Sequence, residues 1–168
     1  MDCRLGSLCR QMNGRLESQC KDTKNKSMAE KKNAISYESI MKDLKARKFA
    51  PVYVLMGDEP FYIDKICDYI AENVLQPEER DFNQTVLFGA DTTAVQVVDQ
   101  CKGYPMMAEF RVVIVKEAQN LKSLDALEKY LEKPVKSTIL VICNKNGSID
   151  RRKKFIPRAE QVGVVFES

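Results

Sequence analysis

Pro51-Val52-Tyr53-Val54-Leu55-Met56-Gly57-Asp58-Glu59-Pro60 reads as an apolar strand that breaks at a glycine, turns through two carboxylates and enters a helix at a proline. The five apolar residues Val52–Met56 do not alternate with polar ones, the pattern of a central parallel strand covered on both faces. A phosphate-binding loop would sit at such a strand-to-helix corner. It would need several glycines so that backbone N–H groups can wrap the phosphates, a Lys for the outer phosphates and a Ser or Thr for Mg²⁺. Here one glycine, Gly57, is followed by Asp58 and Glu59, which repel phosphate, and by Pro60, which has no N–H to donate. The corner has the shape of a P-loop and none of its phosphate chemistry. Its residues also suit any α/β protein, with Gly57 closing a strand, Asp58 and Glu59 as helix caps and Pro60 in the first turn.

Outward from that corner the pattern stays regular. Ser36 is expected to cap a helix that carries Ile40, Met41 and Leu44 on one face. After the corner, Ile63, Ile66, Ile70 and Val74 recur at helical spacing from about Glu59, and Asp81 to Phe88 is a second strand. Asp91 then caps a helix with Val95, Val98 and Cys101 inward, and Phe110–Val115 forms the third strand. Leu121, Leu124, Leu127 and Leu131 mark another helix, closed by Pro134; Ser137 to Cys143 is the fourth strand and Val162 to Phe166 a short fifth. Strands and helices alternating at these intervals predict an α/β domain with a parallel sheet and right-handed crossovers.

Composition narrows the chemistry. The 168 residues suit one domain with enough apolar content for a core. Residues 1–33 carry eight basic and four acidic side chains, and the remainder 19 and 20, so the domain proper is close to neutral. A whole-domain electrostatic footprint for nucleic acid is therefore absent. Residues 1–33 are polar and without a period, and read as a disordered leader; Met28 looks like a natural start, so 1–27 are taken as an upstream extension. The domain runs over 34–168. The chain has no His, which removes the usual neutral-pH base, and its six Cys form no CxxC, so no metal site is expected. Cys67, Cys101 and Cys143 fall in apolar periodic segments and read as core; with no membrane span or signal peptide, a reducing cytoplasm fits best.

Three pieces in order carry a family resemblance: Phe49–Asp64; Cys101-Lys102-Gly103-Tyr104-Pro105-Met106-Met107 running into Phe110–Val115; and Asn144-Lys145 with the basic run Arg151-Arg152-Lys153-Lys154. Together they resemble the N-terminal domain of the delta subunit of bacterial DNA polymerase III, a clamp-loader protein of the AAA+ class. The resemblance covers about Ile35 to the last residue. It implies a RecA-like, five-stranded parallel sheet with flanking helices and a degenerate P-loop. The implied role is mechanical: binding the ring-shaped sliding clamp (the beta subunit) and helping to hold it open for loading onto primed DNA. Neighbouring motor subunits would hydrolyse the ATP. At the Walker B position this chain has Lys116 and Glu117, with Lys116 in the place of the metal-binding carboxylate. No cofactor, no metal and no catalysis are expected of this chain itself, although the resemblance places it in the polymerase holoenzyme, a nucleotidyltransferase complex. Contacts with other loader subunits would run through lid and collar domains that this chain lacks, DNA would be met indirectly, and the isolated domain is expected to be monomeric.

The same resemblance makes Tyr104, Pro105, Met106 and Met107 the clamp-binding element, with Gly103, Phe110 and Arg111 in support. Members of the family most often carry Leu-Phe where Met106-Met107 stands. Methionine suits the task, being unbranched and polarizable, and able to fill an irregular apolar pocket. The bland alternative buries both methionines as a bridge between helix and strand. Arg151, Arg152, Lys153 and Lys154 are either a contact to DNA phosphates or an acidic partner, or a solvated charged turn. Two other function classes stay open: a doubly wound enzyme or binding protein for a phosphorylated ligand, and a direct DNA-binding domain acting through its basic segments.

Overall fold

The fold is taken from a computed structural model that describes residues 35–149 and 154–168. The predicted leader, 1–33, and Arg151, Arg152 and Lys153 lie outside the described residues.

Five parallel strands make one sheet in the order β2-β3-β4-β1-β5. They are β1 (Val52–Gly57), β2 (Gln84–Phe88), β3 (Arg111–Lys116), β4 (Thr138–Lys145) and β5 (Val164–Glu167). The helices are α1 (Tyr37–Lys45), α2 (Pro60–Asn73), α3 (Pro77–Asn83), α4 (Ala94–Lys102), α5 (Asp125–Glu132) and α6 (Phe155–Val162). Period-two alternation sends Tyr53, Leu55, Ile114 and Val141 to one face of the sheet, under Ile40 of α1 and Ile63 and Ile70 of α2. It sends Val54, Val113, Leu140 and Ile142 to the other, under Val97 of α4, Leu131 of α5 and Phe155 of α6. The non-alternating apolar strands are thus explained by a helix layer on each face, as in RecA-like domains.

Several local expectations shift. Asp81–Asn83 are helical, because Pro77 and the Gln76–Glu79 capping box start α3, and β2 begins only at Gln84. The cap of α4 is Thr93, not Asp91: its hydroxyl accepts from Gln96 N–H while the Gln96 side chain accepts from Thr93 N–H. That two-residue slip turns Val95 outward, 59% exposed, and brings Ala94 and Val97 in beside Val98 and Cys101. Leu121 and Leu124 precede α5, and a 3₁₀ turn, Ala118–Asn120, follows β3. α6 was not foreseen, and β5 starts two residues later than expected.

Cys67, Cys101 and Cys143 are free thiols buried in the core. Burial pushes the Cys101 thiol up to about 12. The hydrogen bond between Cys67 and Cys143 adds to burial in raising Cys143 well above the ordinary thiol range; the same bond lowers Cys67 against the upward push of burial, and Cys67 is 2% exposed. Alkylation with iodoacetamide at about pH 8, read by mass mapping, should therefore leave these three unmodified in the native chain and modify all three on denaturation. Rapid native labelling of Cys101 would contradict its placement.

Candidate functional site

In a parallel sheet, loops that follow strands lie at one edge and loops that precede them at the other. The degenerate P-loop corner and the Lys116–Glu117 segment share the carboxyl edge, where open α/β sheets bind ligands. The Gly103–Phe110 loop enters β3 at the opposite, amino edge.

At the carboxyl edge several backbone amides are bonded within the chain. Gly57 has a φ of +136°, a conformation that favours glycine, and a Cβ there would lie 2.3 Å from Ser168 Oγ. Its N–H donates to Gly147 O at 3.3 Å, and Glu59 N–H donates to Ser168 Oγ at 3.2 Å. Glu59 takes the N-cap position of α2 without a side-chain hydrogen bond and Asp58 is exposed, so neither carboxylate acts as the expected cap; the Ser168 hydroxyl instead donates to Glu59 O. Pro60 is the first helical residue. Asp64 of α2 pairs with Lys145 at the end of β4, Nζ to Oδ1 2.7 Å and Nζ to Oδ2 2.9 Å, and this contact holds the ammonium above its ordinary pKa. Lys116 is half-buried at the end of β3; Glu117 is exposed, in a left-handed conformation, and accepts from Asn120 Nδ2 at 3.3 Å. Among the described residues no cluster of three or more His, Cys, Asp or Glu is arranged to hold a metal. Millimolar Mg-ATP is accordingly expected to leave the melting temperature unchanged, since a ligand raises it only by binding the folded state. A saturable upward shift would refute this reading of the corner.

The amino edge is built differently. Helix α4 ends at Lys102, and its last turn is pinned from two strands. Thr138 Oγ1 donates to Cys101 O at 2.9 Å, and Arg111 Nη2 donates to Gln100 Oε1 at 2.7 Å. The Arg111 guanidinium lies over Gly103, where a Cβ would come within 2.9 Å of Nη1. Phe110 packs edge-on to Phe49, with centroids 5.7 Å apart. Between these anchors the loop shows Tyr104 84%, Met106 61% and Met107 101% exposed, with Pro105 half-buried. The bland alternative for the methionines, a bridge in the core, is therefore not what the fold does with them. Met107 has a φ of +55°, in the left-handed region that costs a non-glycine residue roughly 1–2 kcal/mol. The loop's backbone is held by Asn83, which is fully buried and bonds to both backbone groups of Met106.

The structure thus brings Gly103, Tyr104, Pro105, Met106, Met107, Phe110 and Arg111 together at one edge, and Gly57, Asp58, Glu59, Pro60, Lys116 and Glu117 at the other. Lys154 is exposed just before α6 and belongs to neither group. Asn83 was missed because the sequence reading placed it inside a strand. The Gln76-Pro77…Glu79 capping box was the signal that a helix, ending near Asn83, intervened.

Comparison with known proteins bears on the family and the fold. The family model for the DNA polymerase III delta subunit matches residues 53–168. The chain is 27% identical over 139 residues to the DNA polymerase III subunit delta of Bacillus subtilis, covering 77% of this chain and 40% of that relative. Among solved structures, the Bacillus subtilis DNA clamp loader delta protein superposes with a TM-score of 0.72 at 26% identity, over 79% of this chain and 42% of that one. A gamma-subunit-related protein of DNA polymerase III from Thermotoga maritima shares the fold, with a TM-score of 0.51 at 14% identity over 76% and 44% of the two chains. The chain spans less than half the length of each of these relatives. With its model matched over most of the sequence and over both edges of the sheet, the chain belongs to the DNA polymerase III delta subunit family.

Proposed function

We propose that this chain binds a sliding clamp through the Tyr104–Met107 loop and helps hold the ring open for loading onto primed DNA, without turning over nucleotide itself. The observation that carries the reading is the exposure of Met106 and Met107 on a loop whose roots are pinned by Thr138 and Arg111. Two adjacent flexible apolar side chains standing in solvent leave apolar area for a partner to cover, and together they match an apolar pocket of modest size. Membership of the delta subunit family supports a role in DNA replication, and a relative of similar fold is itself described as a clamp loader delta protein. The carboxyl edge supports the non-catalytic half of the reading, because the Gly57 and Glu59 amides bond within the chain, Asp64 is paired with Lys145, and Asp58 and Glu59 set negative charge where phosphate would lie. Lys154 takes no part in the proposed contact, and association with other replication proteins would use other surfaces.

Calorimetric titration of the cognate sliding clamp with this chain tests the proposal. Saturable binding with one chain per clamp pocket is the expected result. Absence of binding at concentrations of tens of micromolar, with the chain folded by circular dichroism, would overturn it.

A further inference from the structure

Asn83 is one of three fully or nearly fully buried polar residues among those described, the others being Thr138 and Asn144. Its Oδ1 accepts from Met106 N–H at 2.6 Å and its Nδ2 donates to Met106 O at 2.8 Å. The same Nδ2 donates to Glu79 O at 3.1 Å, one turn back in α3. We propose that Asn83 is the positioning residue of the exposed loop, a two-point latch that holds Met106 and Met107 in their binding shape before a partner arrives.

The inference rests on the reading of the loop as a partner-binding element, and the chemistry of the contact is specific. A primary amide offers a donor and an acceptor side by side, so one side chain satisfies both backbone groups of a single residue, much as a neighbouring strand would. An Asp at 83 would offer acceptors alone, and a Ser or Thr one oxygen. The Glu79 bond is an ordinary bond within the end of a helix, but the Met106 bonds span 23 residues of sequence and tie α3 to the loop. They hold the backbone of Met106 while its side chain stays 61% exposed, and Met107 follows in a left-handed conformation that a free loop would rarely populate. A loop already ordered does not lose that freedom on binding. If only a fraction of chains held the loop in this shape, the apparent dissociation constant would rise by the inverse of that fraction.

Amide hydrogen exchange and clamp-binding kinetics on the whole chain test the latch together. In the wild-type chain the Met106 amide should exchange at least about tenfold more slowly than in an unstructured peptide. In Asn83→Ala that protection should vanish while β1, β3 and β4 keep theirs, and clamp affinity should fall about tenfold, chiefly through slower association. Asn83→Asp keeps the acceptor for Met106 N–H but turns a carboxylate oxygen toward Met106 O and Glu79 O, so at neutral pH it should lose the protection as Asn83→Ala does. Should Asn83→Ala fail to fold, the wild-type exchange rate and Asn83→Asp still decide the matter. An unprotected Met106 amide in the wild type overturns the latch whatever the clamp does. So does an Asn83→Ala chain that matches the wild type in exchange and association rate. A wild-type chain with a protected Met106 amide that ignores the clamp supports the latch and overturns the clamp reading instead.

Discussion

Replacing Met106 and Met107 together by alanine is expected to weaken clamp binding by roughly 30- to 150-fold and to leave the fold as stable as before. Covering the two side chains contributes about 3–6 kcal/mol of apolar transfer. Ordering each on the partner costs about 0.5–1.5 kcal/mol, leaving about 2–3 kcal/mol that alanine forfeits. Stability should move by no more than about 0.5 kcal/mol, because the side chains are 61% and 101% exposed and neither belongs to the core. Alanine also keeps the left-handed penalty at position 107, so the variant does not relax the loop as glycine would. Calorimetry against the clamp, paired with a thermal melt, reads both quantities. An unchanged affinity would place the contact on another surface; a lower melting temperature would mean that the methionines pack inward after all.

The central strands were legible in the sequence because they are buried on both faces and bounded by breakers. β1 stands between Pro51 and Gly57, and its run of apolar residues admits little else. The corner's lack of phosphate-binding residues was legible for a related reason, since phosphate binding needs particular residues and Asp58, Glu59 and Pro60 are not among them. Helix edges were harder. Asp91 and Thr93 are both acceptable caps, and only the reciprocal bonds with Gln96 choose between them; the choice decides whether Val95 or Val97 faces the sheet. α6 was overlooked because its start abuts a basic run that reads as a turn, although Phe155, Ile156 and Ala159 have helical spacing. The exposed loop was identified through family resemblance, not through its own residues: two methionines between a helix and a strand have no pattern that separates pocket-filler from core. The capping box of α3 could have placed Asn83 at a helix end, but its role could not be read, because it lies in a contact made 23 residues away.

Leu55→Ala should produce the largest loss of stability that is separable from function. Leu55 is fully buried in β1, between Cys143 of β4 and Phe166 of β5 in the register. It packs in the layer formed with α1 and α2, where Ile63, Ile66 and Ile70 are also fully buried. Neighbouring strands on both sides limit how far the site can collapse, so the cost should lie toward the upper part of the usual 2–5 kcal/mol for such a truncation. That is a large share of the roughly 5–15 kcal/mol that holds a domain together. Leu55→Met, which nearly conserves volume, should cost less than about 1.5 kcal/mol. Urea denaturation measures all three chains. The hydrogen bonds that hold the exposed loop and the helix end before it come from Asn83 of α3, Arg111 of β3 and Thr138 of β4, not from β1. Below its transition, the Leu55→Ala chain should therefore bind the clamp with fewer active molecules but an unchanged dissociation constant for those that are folded. A weakened constant in the folded fraction would show that the core of the sheet and the loop at its amino edge are energetically coupled, and the loop would have to be treated as part of the core's cooperative unit.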